Sequence, residues 1–161
     1  MRHLVRRPRM ARGQALVEFS LILLPMFLVI CGTLDLGRAV FAYNTLSESA
    51  RQANRLAIVD QSLTDVQNKA VAYAPALGLS TIDVTVCFKT ATTTQGDCSH
   101  PSTDDCSSSL QIGCLAFVTT TTVFHPVTPF ISSLFPSISM SSTSIGPIEY
   151  VCPTTTKLTC P

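Results

Sequence analysis

One acidic residue stands at the edge of the longest apolar run of the chain, and its position points to a chemical step. Glu18 directly precedes residues 19–34, which hold no charged residue. An acidic side chain within a membrane helix costs about 3 kcal/mol unless it finds a partner. Hydrolysis after Gly13 would supply one, because the new ammonium group of Gln14 would lie one helical turn from Glu18 on the same or a neighbouring helix. The alternative is that Glu18 lies among lipid headgroups and needs no partner.

The cysteines are the second group of residues that could take part in a chemical reaction. Six of the seven follow the apolar run. An even number of cysteines in a domain outside the cytoplasm predicts up to three disulfides, with fifteen possible pairings. A local bond between Cys152 and Cys160 is one of these pairings. The six candidates are Cys87, Cys98, Cys106, Cys114, Cys152 and Cys160.

Metal binding and enzymatic chemistry are disfavoured by the spacing of the polar residues. The sequence has no C-x-x-C pair, and His100 and His125 are not spaced as ligands on one helix. It also has no glycine-rich phosphate loop and no G-x-S-x-G nucleophile motif. Asp104 and Asp105 lie side by side in a Ser- and Cys-rich stretch, where solvation accounts for them. We therefore expect no enzymatic activity, no metal and no cofactor.

The apolar run is long enough to cross a membrane. As a helix, residues 15–34 would span about 30 Å, the thickness of a bilayer core, and Pro25 predicts a kink within it. Five arginines and no acidic residue lie in residues 1–13, so the positive-inside rule places the N-terminus in the cytoplasm and the rest outside. A cleaved secretory signal is disfavoured, because the run is too long and no small-x-small site follows it. Lipidation of Cys31 is disfavoured because Ile30 precedes it.

The distribution of charge excludes one further class of protein. Only 13% of the residues are charged, about half of the usual globular share. The arginines are concentrated before the apolar run, whereas a nucleic-acid-binding protein spreads its basic residues over a folded face. No nucleic-acid binding is expected.

Helical periodicity continues beyond the apolar run. Residues 35–59 place apolar side chains at every third or fourth position, which predicts a helix with one buried face. This face would pack on the sheet of its own domain or, alternatively, on a helix of a partner protein. Its residues are Ala39, Tyr43, Leu46, Ala50, Ala53 and Ala57.

A second helix and three strands are predicted in the remainder. Ser62 with Asp65 predicts a helix start, and Pro75 with Gly78 predicts its end. Period-two alternation and β-branched residues predict three strands. The fold class is therefore α+β, with a long N-terminal transmembrane helix that continues into a domain with a small antiparallel sheet. The strands are residues 82–89, 115–124 and 138–145, and the organisation is a basic leader (1–13), a transmembrane helix (14–34), an extension of that helix (35–59) and an extracytoplasmic disulfide-containing domain (60–161).

A set of residues at fixed spacing carries a family resemblance. Its members are Gly13, Glu18, Phe19, Pro25, Asp35, Gly37, Arg38, Asn44, Ala50, Arg51 and Arg55. With them, residues 12–59 resemble the TadE-like family of the tight-adherence (Flp) pilus machinery. The first part resembles the type IV prepilin signature, in which an aspartyl peptidase cuts after a glycine and a glutamate occupies position five of the mature chain. Residues 123–142 are weakly similar to an aromatic and proline-rich turn that such proteins carry before a final strand.

The resemblance implies a minor pilin or pseudopilin of a bacterial type IVb pilus, with a pilin-like domain. A prepilin peptidase would cut between Gly13 and Gln14, while Glu18 and Phe19 would lie at the helix-packing end of the mature chain. The expected partners are the inner membrane, the peptidase, other pilins and pilus-assembly proteins. The domain would lie in the periplasm or in an extracellular pilus. The alternative is an uncleaved single-pass anchor whose outer domain binds periplasmic partners or a surface.

Asp35 and Arg38 stand at the outer end of the predicted membrane segment, three positions apart. This spacing predicts a helix-surface ion pair, which contributes only a few tenths of a kcal/mol. Their place in the family pattern leaves a docking role as the alternative.

Overall fold

One helix forms most of the N-terminal third of the chain. The computed structural model describes residues 11–90, 98, 106 and 111–151. Within them, α1 extends from Ala11 to Ala57 as a single helix of 47 residues, about 70 Å long. Pro25 lies inside this helix. The structure therefore confirms a long N-terminal helix that continues from the apolar run into the folded domain.

A short second helix follows at the predicted place. α2 comprises Leu63–Ala72, and the Ser62 hydroxyl caps its start by accepting a hydrogen bond from the Asp65 amide at 3.4 Å. After α2 the chain passes through a 3-10 turn, Pro75–Leu77, to Gly78, which has a φ of 61°. Glycine adopts this left-handed conformation without the steric cost of a Cβ atom. The predicted start of the helix is confirmed. Its predicted end is wrong, because α2 stops at Ala72 and Pro75 and Gly78 instead bound the separate 3-10 turn.

A three-stranded antiparallel sheet completes the α+β fold. Its strands are β1 (Val84–Thr90), β2 (Cys114–Phe124) and β3 (Ile138–Pro147), in the order β1-β2-β3. A third helix, α3 (Pro129–Leu134), connects β2 to β3. Ile82, predicted at the start of the first strand, instead lies in a 3-10 turn and is 91% exposed. Alternation of apolar residues could not show where the strand begins. Ile82 lies two residues before Val84 and so continues the alternation, although it is not hydrogen-bonded in the sheet.

The C-terminal half of α1 packs on the sheet through small side chains. The predicted buried face is correct from Leu46 onward but wrong at Tyr43, which is 51% exposed, while Ala42 is buried in its place. At 3.6 residues per turn, the position four residues before Leu46 faces the sheet more directly than the position three before it. The face is thus an internal contact of the domain. Its completely buried residues are Leu46, Ala50, Ala53 and Ala57.

The inward face of the sheet contributes the apolar side of the core. Ala116, Val118 and Thr120 of β2 are completely buried and alternate along the strand. Val84 of β1 and Val66 of α2 complete this layer. The Thr120 hydroxyl is satisfied by the Leu46 carbonyl of α1 at 3.2 Å. The hydroxyl of this buried residue therefore has a hydrogen-bond partner, as buried polar groups usually do.

Asn54 joins α1 to both neighbouring strands. Its side-chain amide is assigned the orientation that pairs both groups: the nitrogen donates to the Ala116 carbonyl at 3.1 Å and the oxygen accepts from the Gly146 amide at 3.0 Å. β3 can approach because residue 146 has no side chain. A Cβ atom there would lie 2.8 Å from the Asn54 amide and 3.1 Å from Ile58 Cγ2.

Two disulfides bind neighbouring segments to the sheet. Cys87 of β1 is bonded to Cys98, and Cys114 of β2 is bonded to Cys106. The second bond lies in the core, because Cys106 and Cys114 are each only 4% exposed. The Cys106 amide also donates to the Phe88 carbonyl of β1 at 3.0 Å. The second disulfide therefore both cross-links the chain and packs as part of the core.

The other cysteines differ in their status. Cys31 in the apolar half of α1 is a free thiol. Cys152 and Cys160 lie outside the described residues, and so does the predicted bond between them.

Removal of the buried disulfide is expected to destabilise the domain more than removal of the other one. The two bonds close loops of similar length, with separations of 8 and 11 residues, so each loop contributes about 3 kcal/mol by chain entropy. Changing Cys106 and Cys114 to Ala additionally removes packed sulfur atoms from the core. Denaturant unfolding of both double-alanine variants of the full chain in detergent measures the difference. Equal losses for the two variants would show that the buried sulfur atoms contribute no packing energy.

Candidate membrane and assembly site

The N-terminal half of α1 is an exposed apolar surface. Among the described residues, this is the one helix that is long and apolar enough to cross a membrane, by length and composition. No residue of its apolar window is buried inside the structure. Phe19, Phe27 and Leu34 are each more than 60% exposed. Since exposed apolar surface of this extent is unfavourable in water, the helix requires a lipid or protein environment.

The predicted processing site lies at the start of this surface. Gly13, Gln14, Glu18 and Phe19 are all exposed on α1. The Gln14 side-chain amide donates a hydrogen bond to Glu18 Oε1 at 3.1 Å. Residues 14 and 18 are therefore neighbours on one helix face, as their spacing predicts. Residues 1–10 of the basic leader lie outside the described part of the chain.

Asp35 joins the folded domain to α1 by hydrogen bonds at the end of the uncharged run. Its carboxylate accepts hydrogen bonds from the Thr128 amide at 2.8 Å and the Val127 amide at 3.2 Å, and the residue is only 6% exposed. Arg38 Nη1 lies 3.5 Å from the same carboxylate. The predicted pair therefore exists, but the loop after β2 supplies the closer contacts. Asp35 thereby fastens this loop to α1 across 93 positions of sequence.

The charge of Asp35 is well matched to its surroundings. Hydrogen bonds from the Thr128 hydroxyl and amide lower the pKa of the Asp35 carboxyl most, and the Val127 amide and Arg38 lower it further, while burial opposes them. Arg38 also lies over the Phe124 ring, 5.7 Å from its centroid, at the distance of a cation–π contact. The carboxylate and its neighbours thus form a local cluster that joins the end of the apolar run to the end of β2.

Asp35→Asn is expected to loosen the loop after β2. The neutral amide has one acceptor oxygen where the carboxylate has two, so one of the two loop amides loses its partner. We expect amide hydrogen exchange at residues 127–128 to become about tenfold to a hundredfold faster. Exchange mass spectrometry on the full chain in detergent measures this. Asp83→Asn is the matched control, since Asp83 accepts from Ser80 at 2.9 Å elsewhere in the fold; equal loosening of the loop in both variants would contradict the assignment.

The same substitution has a defined pH dependence. The pKa of Asp35 is lowered in the folded chain, so its stabilisation is present above the ordinary carboxyl value and is lost as the pH falls through the lowered folded value. The melting temperature of the wild type should exceed that of the variant at neutral pH, and the gap should close below a pH of about 4.

A second group of family positions lies on the opposite face of α1. Gly37, Asn44, Arg51 and Arg55 are exposed, and their spacings of seven, seven and four residues place them along one line of the helix. This line points away from the sheet that buries Ala50. The structure therefore separates the predicted positions into an anchoring residue, Asp35, and an outward line, defined by these four residues.

Two features of the site were not predicted from the sequence. The first is the pairing of Asp35 with backbone amides of the loop at residues 127–128. Almost every residue type has a backbone amide, so the sequence does not indicate which residues donate these bonds. The second feature is the burial of Asn54, which lies between Ala53 and Arg55. Its signal was a short amide side chain beside a stripe of small residues, where only a hydrogen-bonded polar group can be buried.

Fold and site together define an α+β protein with a single exposed helix able to cross a membrane. The family model described as TadE-like protein matches residues 13–55. This confirms the resemblance and places the matched segment, from the predicted cleavage site to the last turn of α1, in the TadE-like family. The match indicates a protein associated with the Tad pilus and with a membrane. No curated protein and no solved structure matches the chain.

Proposed function

We propose that this protein is a minor pilin or pseudopilin of a tight-adherence pilus system, with a structural rather than catalytic role. The observation that carries the proposal is the continuity of α1. One helix begins beside Gly13, exposes its apolar half and then forms the core of the domain. A subunit built in this way can pack its apolar half among the helices of other subunits while its domain stays outside.

The proposed mechanism begins with cleavage after Gly13 by a prepilin peptidase. The cut leaves an ammonium group on Gln14, four positions from Glu18, and neutralisation of this charge removes the main cost of placing the helix end in an apolar surrounding. Glu18 of one subunit would accept the N-terminus of a neighbour. Phe19 and the residues after it would then supply the apolar contact between helices.

The outward line of Gly37, Asn44, Arg51 and Arg55 extends this contact beyond the membrane. It is free for docking within the described fold, because the sheet covers the other side of α1. A partner helix could approach closely at Gly37, where a Cβ atom would meet nothing within 4 Å. Arg51 and Arg55 would offer charge-assisted hydrogen bonds to an acidic partner surface.

The proposed orientation places the leader in the cytoplasm and the domain in the periplasm. The five leader arginines support the first half of this statement. The two disulfides of the described residues support the second, because such bonds persist in oxidising compartments.

The second candidate function is that of a permanently anchored assembly or adhesion protein. One observation favours it. Gln14 already donates a hydrogen bond to Glu18 in the uncut chain, so Glu18 has a partner without cleavage. The domain would then bind periplasmic partners from a fixed position on the membrane.

Intact-mass measurement and N-terminal sequencing separate the two candidates. The chain is purified from membranes of cells with and without the cognate prepilin peptidase. A start at Gln14 that depends on the peptidase and is lost in Gly13→Ala supports the pilin proposal. A chain that still begins at Met1 in the presence of the peptidase contradicts it and leaves the anchored protein.

A further inference from the structure

The loop between β2 and β3 contacts the end of the apolar half of α1. It begins after Phe124 and contains α3, Pro129–Leu134. A Cβ atom at Gly32 would lie 3.9 Å from Ile131 Cδ1 of this loop. Gly32 is one helical turn before Asp35, the residue that holds the loop amides. The loop therefore contacts α1 at the end of the uncharged run and not at the middle of the domain.

The surface that this loop exposes is apolar. Val127, Leu134 and Phe135 are 69%, 61% and 59% exposed. No Asp, Glu, Lys or Arg occurs from residue 123 to residue 138. Exposed large apolar side chains that cluster in this way mark a binding surface for protein or membrane.

Three polar side chains of the loop form hydrogen bonds with carbonyl groups of the loop itself. The Ser132 and Ser133 hydroxyls both donate to the Pro129 carbonyl, at 3.1 and 2.6 Å. His125 Nδ1 lies 3.0 Å from the Pro136 carbonyl. Internal satisfaction of polar groups lowers the cost of placing a segment in a poorly hydrated layer.

The depth of the loop follows from its attachment to α1. If the uncharged run crosses a bilayer, Asp35 lies at its edge and Gly32 lies about 4.5 Å inside that edge. Membrane-surface helices bury their apolar faces about 5–10 Å into the boundary between headgroups and acyl chains. Gly32 and the Ile131 side chain beside it therefore lie near the shallow limit of this range, at the level of the membrane boundary.

We propose that the loop of residues 127–135 is a membrane-contact element that inserts Val127, Leu134 and Phe135 into the leaflet on the side of the domain. The inference rests on the proposed membrane crossing of α1, but not on cleavage or on incorporation into a pilus. Together with α1, the loop gives the domain two attachments to the bilayer, and these fix the rotation of the domain about the helix axis. The lipid surface is favoured over a protein partner because the apolar side chains lie level with the membrane boundary of the chain's own helix.

Tryptophan fluorescence tests this contact directly, because the natural chain has no Trp. Leu134→Trp, Ile112→Trp and Phe27→Trp are each made in the full chain, which is reconstituted in phosphatidylcholine vesicles carrying bromine on the acyl chains. Ile112 is the matched control, being 77% exposed just before the opposite end of β2, about 34 Å from the loop. Phe27, 62% exposed in the apolar run, reports the crossing itself.

The expected result is loss of most Trp emission for Leu134→Trp with bromine near the headgroups, no loss for Ile112→Trp, and loss for Phe27→Trp with bromine deep in the chains. Quenching of Phe27→Trp without quenching of Leu134→Trp overturns the proposed loop contact alone. Absence of quenching for Phe27→Trp overturns the membrane crossing on which it rests. A blue shift for Leu134→Trp that grows with protein-to-lipid ratio, without bromine quenching, overturns the lipid contact in favour of a second protein copy.

Discussion

Gly146→Ala is expected to lower the free energy of unfolding by about 2–3 kcal/mol. The new Cβ atom would lie 2.8 Å from the Asn54 amide and 3.1 Å from Ile58. β3 would have to move away from α1, and Asn54 would lose its bonds to Gly146 and Ala116. Thermal unfolding of the full chain in detergent, followed by circular dichroism, should show a melting temperature about 10 °C or more below the wild type.

Gly37→Ala is the matched control for this substitution. Gly37 lies on the exposed side of the same helix, and a Cβ atom there would meet nothing within 4 Å. Alanine is favoured over glycine in a helix by up to about 1 kcal/mol, so this variant should be as stable as the wild type or more stable. A loss of stability for Gly37→Ala similar to that for Gly146→Ala would contradict the argument from close approach.

Local patterns were sufficient to predict α1, α2 and the three strands of this fold, but not the short helix α3. The uncharged run and the helical spacing after it predict α1, Ser62 predicts the start of α2, and β-branched alternation predicts the three strands. Each of these signals lies within one element, so no knowledge of the rest of the chain is needed to interpret it. The prediction that Tyr43 belongs to the buried face was wrong for a related reason. Helical periodicity alone does not determine which of two adjacent residues, Ala42 or Tyr43, faces the sheet.

The contacts that join the elements could not be predicted. Asp35 meets amides 92 and 93 positions away, and Asn54 meets two different strands. Such partners depend on the register of β2 and β3 and on the depth at which α1 lies across them. Gly146 is the one sequence feature that reflects the close approach of β3 to α1. A glycine in a strand does not by itself indicate close approach, because it also occurs at bulges and turns.

The buried and exposed sides of α1 explain how one helix could serve two purposes. The small residues of the buried side bring the sheet close and use the helix as part of the domain core. The apolar half and the outward line of Gly37, Asn44, Arg51 and Arg55 remain available for lipid or protein. Because a single rigid element carries both surfaces, a subunit held by its apolar half in an assembly would also have its domain held at a fixed distance.

Glu18→Gln is expected to reduce incorporation into the pilus by about a hundredfold, because it leaves the ammonium group of a cut neighbour unpaired in an apolar surrounding. The substituted side chain keeps an oxygen that can accept the hydrogen bond from Gln14, so the shape of the helix end is preserved and only the charge is lost. Glu149→Gln, which removes an exposed carboxylate from the far end of the domain, is the control.

The measurement for Glu18 is the ratio of this chain in sheared pilus fractions to the chain in membranes, with the intact mass of each recorded. The expected result for Glu18→Gln is a chain that stays in membranes, whether or not it has been cut. Wild-type incorporation of a cut Glu18→Gln chain would contradict the proposed charge pairing while leaving the pilin assignment intact. Normal incorporation of an uncut Glu18→Gln chain would contradict both the charge pairing and the cleavage, since neither the Glu18 carboxylate nor a free ammonium group on Gln14 would then be present.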